Sequence, residues 1–90
     1  MGTAPYYQAG SVNAQVATGH RTVFSVFAVA DGVGACTVSL RNGGAAGTIQ
    51  WTGVSAGINL PVSHVFRGMD FDQGIYVDLT NVAYVSIEYR

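Results

Sequence analysis

The chain has no lysine. Its four cations are all arginine (Arg21, Arg41, Arg67, Arg90), its anions are Asp31, Asp70, Asp72, Asp78 and Glu88, and charged residues make up 10% of the sequence. About 25% is ordinary for a soluble domain. The formal net charge is −1, and no basic cluster supplies the electrostatic footprint that nucleic acid requires, so no nucleic-acid partner is expected. Cysteine is nearly absent as well. The single Cys36 excludes an internal disulfide, and no Cys/His spacing resembles a zinc site, so neither metal nor cofactor is expected. No apolar run approaches the roughly 18 residues of a membrane span, which leaves no membrane partner in view. The longest nearly apolar run, Val23 to Ala30, has the length of a strand. The opening Met-Gly-Thr-Ala-Pro-Tyr-Tyr lacks the basic region and apolar stretch of a signal peptide. None of Asn13, Asn42, Asn59 or Asn81 stands in a glycosylation sequon.

Helical periodicity is missing too. What is present is 49% hydrophobic residues at low net charge, which argues against disorder, arranged as short β-branched and aromatic runs punctuated by glycine. That rhythm predicts one all-β domain over residues 1–90: a small antiparallel β-sandwich, jelly-roll-like, of seven or eight short strands. Residues 1–9 are expected to form an N-terminal arm or a first edge strand, and Tyr6 to Val16 one or two strands broken at Gly10. Arg21 to Ala30 reads as the central strand, with Phe24, Val26 and Ala28 on one face and Val23, Phe27 and Val29 on the other. Apolar residues on both faces predict burial on both, so this strand is the first candidate for a surface covered by another subunit. Asp31-Gly32-Val33-Gly34 and Asn42-Gly43-Gly44 are turn signals. Between them Cys36, Val38 and Leu40 alternate inward against Thr37, Ser39 and Arg41. Ile49 and Trp51 are expected on the inner face of the next strand, and Ile58 to Val62 in a short edge strand interrupted by Pro61. Ile75, Val77 and Leu79 read as inward. Thr80-Asn81 is a turn from which Val82 to Tyr89 is expected to pair back, with Val85, Ile87 and Tyr89 inward.

The residues that usually carry chemistry are dispersed. His20 and His64 stand in no metal-binding spacing. No serine lies in a nucleophile elbow, and Cys36 alternates with core residues as an inert buried thiol does. Asp70 and Asp72 are the one close carboxylate pair. Calcium would need six to eight oxygens, with only Asp31 and Asp78 left to contribute, so a solvated loop is the simpler reading. Tyr6, Tyr7, Trp51, Tyr76 and Tyr84 would suit a sugar platform, but tyrosine and arginine are also the residues enriched where proteins meet. The candidate interface residues are therefore Tyr6, Tyr7, Val23, Phe27, Val29, Trp51, Tyr76, Tyr84 and Arg90. No catalytic residue is assigned and no enzyme is expected.

The stretch Phe71-Asp72-Gln73-Gly74-Ile75-Tyr76-Val77-Asp78-Leu79, closing with Val85-Ser86-Ile87-Glu88-Tyr89-Arg90, resembles the C-terminal part of small virion proteins of tailed bacteriophages. In those a Gly-Ile-Tyr-Val strand is followed by a short turn and a terminal strand ending in Tyr-Arg. Gly10 to Val16, Asp31-Gly32 and Cys36-Thr37-Val38 fit the same pattern, so the resemblance covers most of the chain through strand-and-turn features. It implies a non-enzymatic capsid decoration (cement) protein, a homotrimer on the particle surface, made in the host cytoplasm and bound to the major capsid protein or another virion protein at capsomer junctions. Another virion component (head fibre base, neck or tail protein) and a carbohydrate-binding β-sandwich module remain the alternatives.

Overall fold

Eight strands carry the chain: β1 (Ala4–Ala9), β2 (Ala14–Thr18), β3 (Arg21–Ala30), β4 (Thr37–Asn42), β5 (Thr48–Val54), β6 (Val62–Phe71), β7 (Gly74–Thr80) and β8 (Val82–Tyr89). The computed structural model describes residues 4–10, 12–58 and 60–90, with side chains from residue 10 onward. The strands form two four-stranded antiparallel sheets, ordered β1-β8-β3-β6 and β2-β7-β4-β5. Hereafter these are the first and second sheets. Only β4 and β5 are both consecutive and hydrogen-bonded; every other connection crosses between sheets. Two sheets interleaved in this order make a jelly roll.

Period-2 alternation produces the sandwich. Cys36, Val38 and Leu40 on the β4 side, Ile75, Val77 and Leu79 on β7, and Val85 and Ile87 on β8 all point inward and are buried. They meet Val26, Ala28, Ala30, Val62 and Phe71 from the first sheet. Tyr89 packs against this core from its margin.

Three expectations fail, each for a definable reason. The first concerns β3. Val23 pairs with Tyr89 and Ser25 with Glu88, so two steps along β3 match one along β8, and Phe24 is the extra residue. A β-bulge of this kind resets the alternation. Val23, expected beside Phe27 and Val29 on the outside, is instead 0% exposed and lies in the core with Val26, Ala28 and Ala30. On the other flank the register jumps from Val23–Met69 to Ser25–Val65, and Gly68 absorbs the kink with φ of 116°. The second concerns β5. Leu40 pairs with Trp51 but Arg41 with Ile49, leaving Gln50 as the extra residue. Ile49 therefore turns outward, 46% exposed, while Trp51 stays inward against the core.

The third concerns the link from β7 to β8. Val82 to Tyr89 does not pair back on β7. It lies in the other sheet between β1 and β3. Asn81 is the single connecting residue, and its φ of 56° turns the chain through a corner. Its carbonyl accepts from Asp31 N–H at 3.0 Å, and its amide nitrogen donates to Ala35 O at 3.4 Å. Ile58, Leu60 and Pro61 likewise lie in no strand; β6 begins at Val62, directly after Pro61. By contrast, the Asp31-Gly32-Val33-Gly34 signal is a turn in which the Asp31 carboxylate accepts from Val33 N–H at 2.9 Å, as short polar side chains do in turns. Gly43 takes φ of 104° in the β4–β5 hairpin.

Candidate association surface

The two outer faces differ in chemistry. On the second sheet, Arg41 Nε donates to Asp78 Oδ2 at 2.5 Å and Arg41 Nη1 to Gly47 O at 2.9 Å. The Ser39 and Thr52 hydroxyls share a hydrogen bond at 3.0 Å. Gln15 Nε2 donates to Gly43 O at 2.7 Å and Ile75 O at 3.0 Å, fastening β2 to β7 and to the hairpin. Polar groups here are largely satisfied by one another, and Ile49 and Val54 are exposed beside them.

On the outer face of the first sheet Phe27 stands between Ser63 and Ser86, and Val65 stands opposite Ser25. Phe27 is 39% exposed and Val65 79% exposed. Phe27 stacks on Tyr84 with centroids 6.2 Å apart and an interplanar angle of 50°, within the range favoured by aromatic pairs. Val29 sits opposite Tyr84 across the β3–β8 ladder. Toward the far end the Arg90 guanidinium lies 5.2 Å over the Phe24 ring. Arg90 is held there by reciprocal backbone bonds with Thr22, of 2.8 and 3.0 Å. The Ser25 hydroxyl donates to the Glu88 carboxylate at 3.2 Å, on the same face. Aromatic, aliphatic and hydroxyl side chains thus share this face with Glu88 and Arg90, a mixture that protein interfaces also carry.

The expected interface residues thus separate. Phe27, Val29, Tyr84 and Arg90 share this face. Val23 leaves the set because the bulge places it in the core. Tyr76 points outward beside Arg41, but on the second sheet, so it and Tyr84 cannot serve one flat contact. Trp51 lies at the side of the sandwich, where β5 and β6 approach. There it makes an edge-on contact with Phe66 at 5.3 Å and a tilted one with His64 at 5.5 Å. The indole lies over Gly53, where a Cβ would collide with Trp51 and Val62. The sugar platform imagined for Trp51, Tyr76 and Tyr84 is consequently spread over three surfaces. Tyr6 and Tyr7 belong to β1, in register with Ile87 and Ser86; their side chains lie outside the described set. Phe24 and Val65 join the face without having been foreseen. The bulge hides the first, and the second follows only from the register of β6.

Nothing comparable gathers around the ionisable groups. Asp70 accepts from the Thr22 hydroxyl at 2.8 Å and stands 3.7 Å from His20 Nε2, both side chains being 64% exposed. Asp78 is engaged with Arg41, and Asp31 lies at the opposite end. Among the described residues no three His, Cys, Asp or Glu side chains converge.

No family model and no curated protein matches the chain. Solved structures to which it is similar include infectious bursal disease virus of the Gx strain and the VP2 subviral particle of that virus. Each is matched at 12% identity and a TM-score of 0.23, over 98% of this chain and 35% of the other. A likeness at that level decides neither fold nor role. The jelly roll rests on the strand order alone.

Proposed function

We propose that the chain is a non-enzymatic structural protein of a tailed-phage particle, of the capsid decoration type, working by association with copies of itself and with the shell. The observation that carries this reading is the set of apolar and aromatic side chains along the outer face of the first sheet. Phe27 and Val65 are exposed there and Phe24, Val29 and Tyr84 half-buried beside them, while the second sheet adds exposed Ile49 and Val54. The resemblance of the Gly74–Leu79 and Val85–Arg90 strands to small virion proteins supports the same assignment. Apolar contact on the first sheet would join copies, with a trimer the favoured form. A standard interface buries about 1,600 Å² in total, and repetition over a lattice turns modest affinities into strong retention.

A second surface suits the shell. The described parts of the connections 10–13, 31–36 and 55–61 and the Asn81 corner lie together at one end of the sandwich, tied by hydrogen bonds such as Gly10 N to Ala83 O and Ser55 N to Cys36 O. They expose Val12, Val33, Ile58 and Leu60, and Asp31 is the one charge among their described residues. The test uses two substitutions. Val65→Asp is expected to reduce self-association while leaving the fold intact. Ile58→Asp is expected to weaken co-sedimentation with purified heads while leaving self-association unchanged. Wild-type behaviour of both variants in both assays would overturn the assignment of these surfaces.

A further inference from the structure

The strands β1, β2, β5 and β6 are the outer members of the two sheets, and each presents backbone N–H and C=O groups along one side. Such edges pair with other chains unless something discourages it. Two of them, β1 and β6, carry proline or charge as a deterrent, and each of the others, β2 and β5, has a register shift. Pro5 stands in β1. Strand β2 has only five residues, with a register shift between Gln15 and Ala17. Strand β6 contains Arg67, Asp70 and the kink at Gly68.

Strand β5, Thr48-Ile49-Gln50-Trp51-Thr52-Gly53-Val54, has neither charge nor proline. Its one register shift lies at Gln50, and from Trp51 to Val54 its pairing with β4 is regular. Ser55 N–H donates to Cys36 O at 2.9 Å. Since an antiparallel ladder alternates bonded and non-bonded pairs, the backbone groups of Thr52 and Val54 aim away from β4. Among the described residues they have no partner on that side. Val54 is also 60% exposed.

We propose that β5 is a pairing edge that receives β5 of a second copy, antiparallel across a twofold axis, joining two second sheets into one continuous eight-stranded sheet. Outward N–H and C=O groups alternating along a strand are completed by another extended strand about 4.8 Å away. A twofold sets the same segment opposite itself, so each copy supplies what the other lacks. With no charge in β5, the axis brings no like charges together, and the β-branched Thr52 and Val54 are residues that pair well across strands. This contact is independent of the role in a phage particle and uses the sheet opposite to the Phe27 face.

Sedimentation of the full chain over a concentration series tests it, in a Val65→Asp background that removes association through the other face. That chain is expected to be dimeric. Adding Val54→Pro removes one outward N–H without touching the β4 ladder, a position an edge strand tolerates, and should raise the dimer dissociation constant at least about tenfold. Amide exchange on the unmodified chain decides the matter should the proline variant fail to fold: the Thr52 and Val54 amides should gain protection as concentration rises. A Val65→Asp chain that stays monomeric, a dimer indifferent to Val54→Pro, or exchange at Thr52 and Val54 that is independent of concentration would each overturn the proposal.

Discussion

Single positions determine how the sandwich closes. Gly53 is one, because the Trp51 indole occupies the space that a side chain there would need. Gly53→Ala is expected to destabilise the chain by about 1–3 kcal/mol, the range for overpacking a filled site. Urea denaturation followed by the fluorescence of the sole tryptophan would measure it; a midpoint unchanged from wild type would place the indole elsewhere. Cys36 is another. Its thiol is fully buried, with Sγ 3.9 Å from Leu60 O. It should resist a thiol reagent in the native protein and react freely once the chain is unfolded. Rapid native labelling would show that the β4 end of the core is open. Of the two, Cys36 was legible in outline, since its alternation with Val38 and Leu40 already made it a core thiol; Gly53 reads in sequence as the start of a flexible connection, and its place under Trp51 depends on a strand partner that the sequence does not name.

At the scale of elements, strands and interruptions were visible in the sequence, but register and sheet membership were not. Alternation identified β4, β7 and β8 and their buried faces, because in β4 and β7 it runs unbroken and in β8 it breaks only at Ala83, before Val85 and Ile87. It misassigned Val23 and Ile49, because one extra residue at Phe24 and at Gln50 moves every later side chain to the opposite face. Such bulges are defined by the partner strand. The Thr80-Asn81 signal showed where the chain turns but not whether it returns to the same sheet or crosses to the other. The bulge in β3 gives a direct test. Val23→Ala should cost about 2–3 kcal/mol, as truncation in a packed core does. Phe27→Ala, four residues on but outside, should cost less than about 1 kcal/mol in dilute monomer. Chemical denaturation of the two variants under the same conditions checks the order, and a reversed order would remove the bulge from the account.

For the whole molecule, the Cα radius of gyration is 12.0 Å, close to the roughly 12 Å of a well-packed chain of this length. The single chain is therefore as compact as a folded domain of its length, and the surfaces described above belong to that folded unit. The topology also bears on how it forms. Only the β4–β5 hairpin is local, and every other ladder joins strands distant in sequence, so refolding is expected on the millisecond-to-second scale of non-local β proteins. Stopped-flow fluorescence of Trp51 would report it, and microsecond folding would contradict it. Charge is distributed unevenly over the finished molecule. His20, Arg21, Asp70, Asp72 and Arg90 lie toward one end, while the loops at the other carry Asp31 alone. The scarcity of charge noticed in the sequence is thus concentrated in particular places: the loop end and β5.

The central claim, that these apolar surfaces exist to be covered in a virion, is tested most directly by co-sedimentation. The purified chain is mixed with purified tailed-phage heads, and bound copies are counted against shell subunits. Binding is expected to saturate at a ratio fixed by the symmetry of the capsomer junctions, with the free chain already self-associated at micromolar concentration. A clean monomer at that concentration that leaves the heads bare would contradict the account.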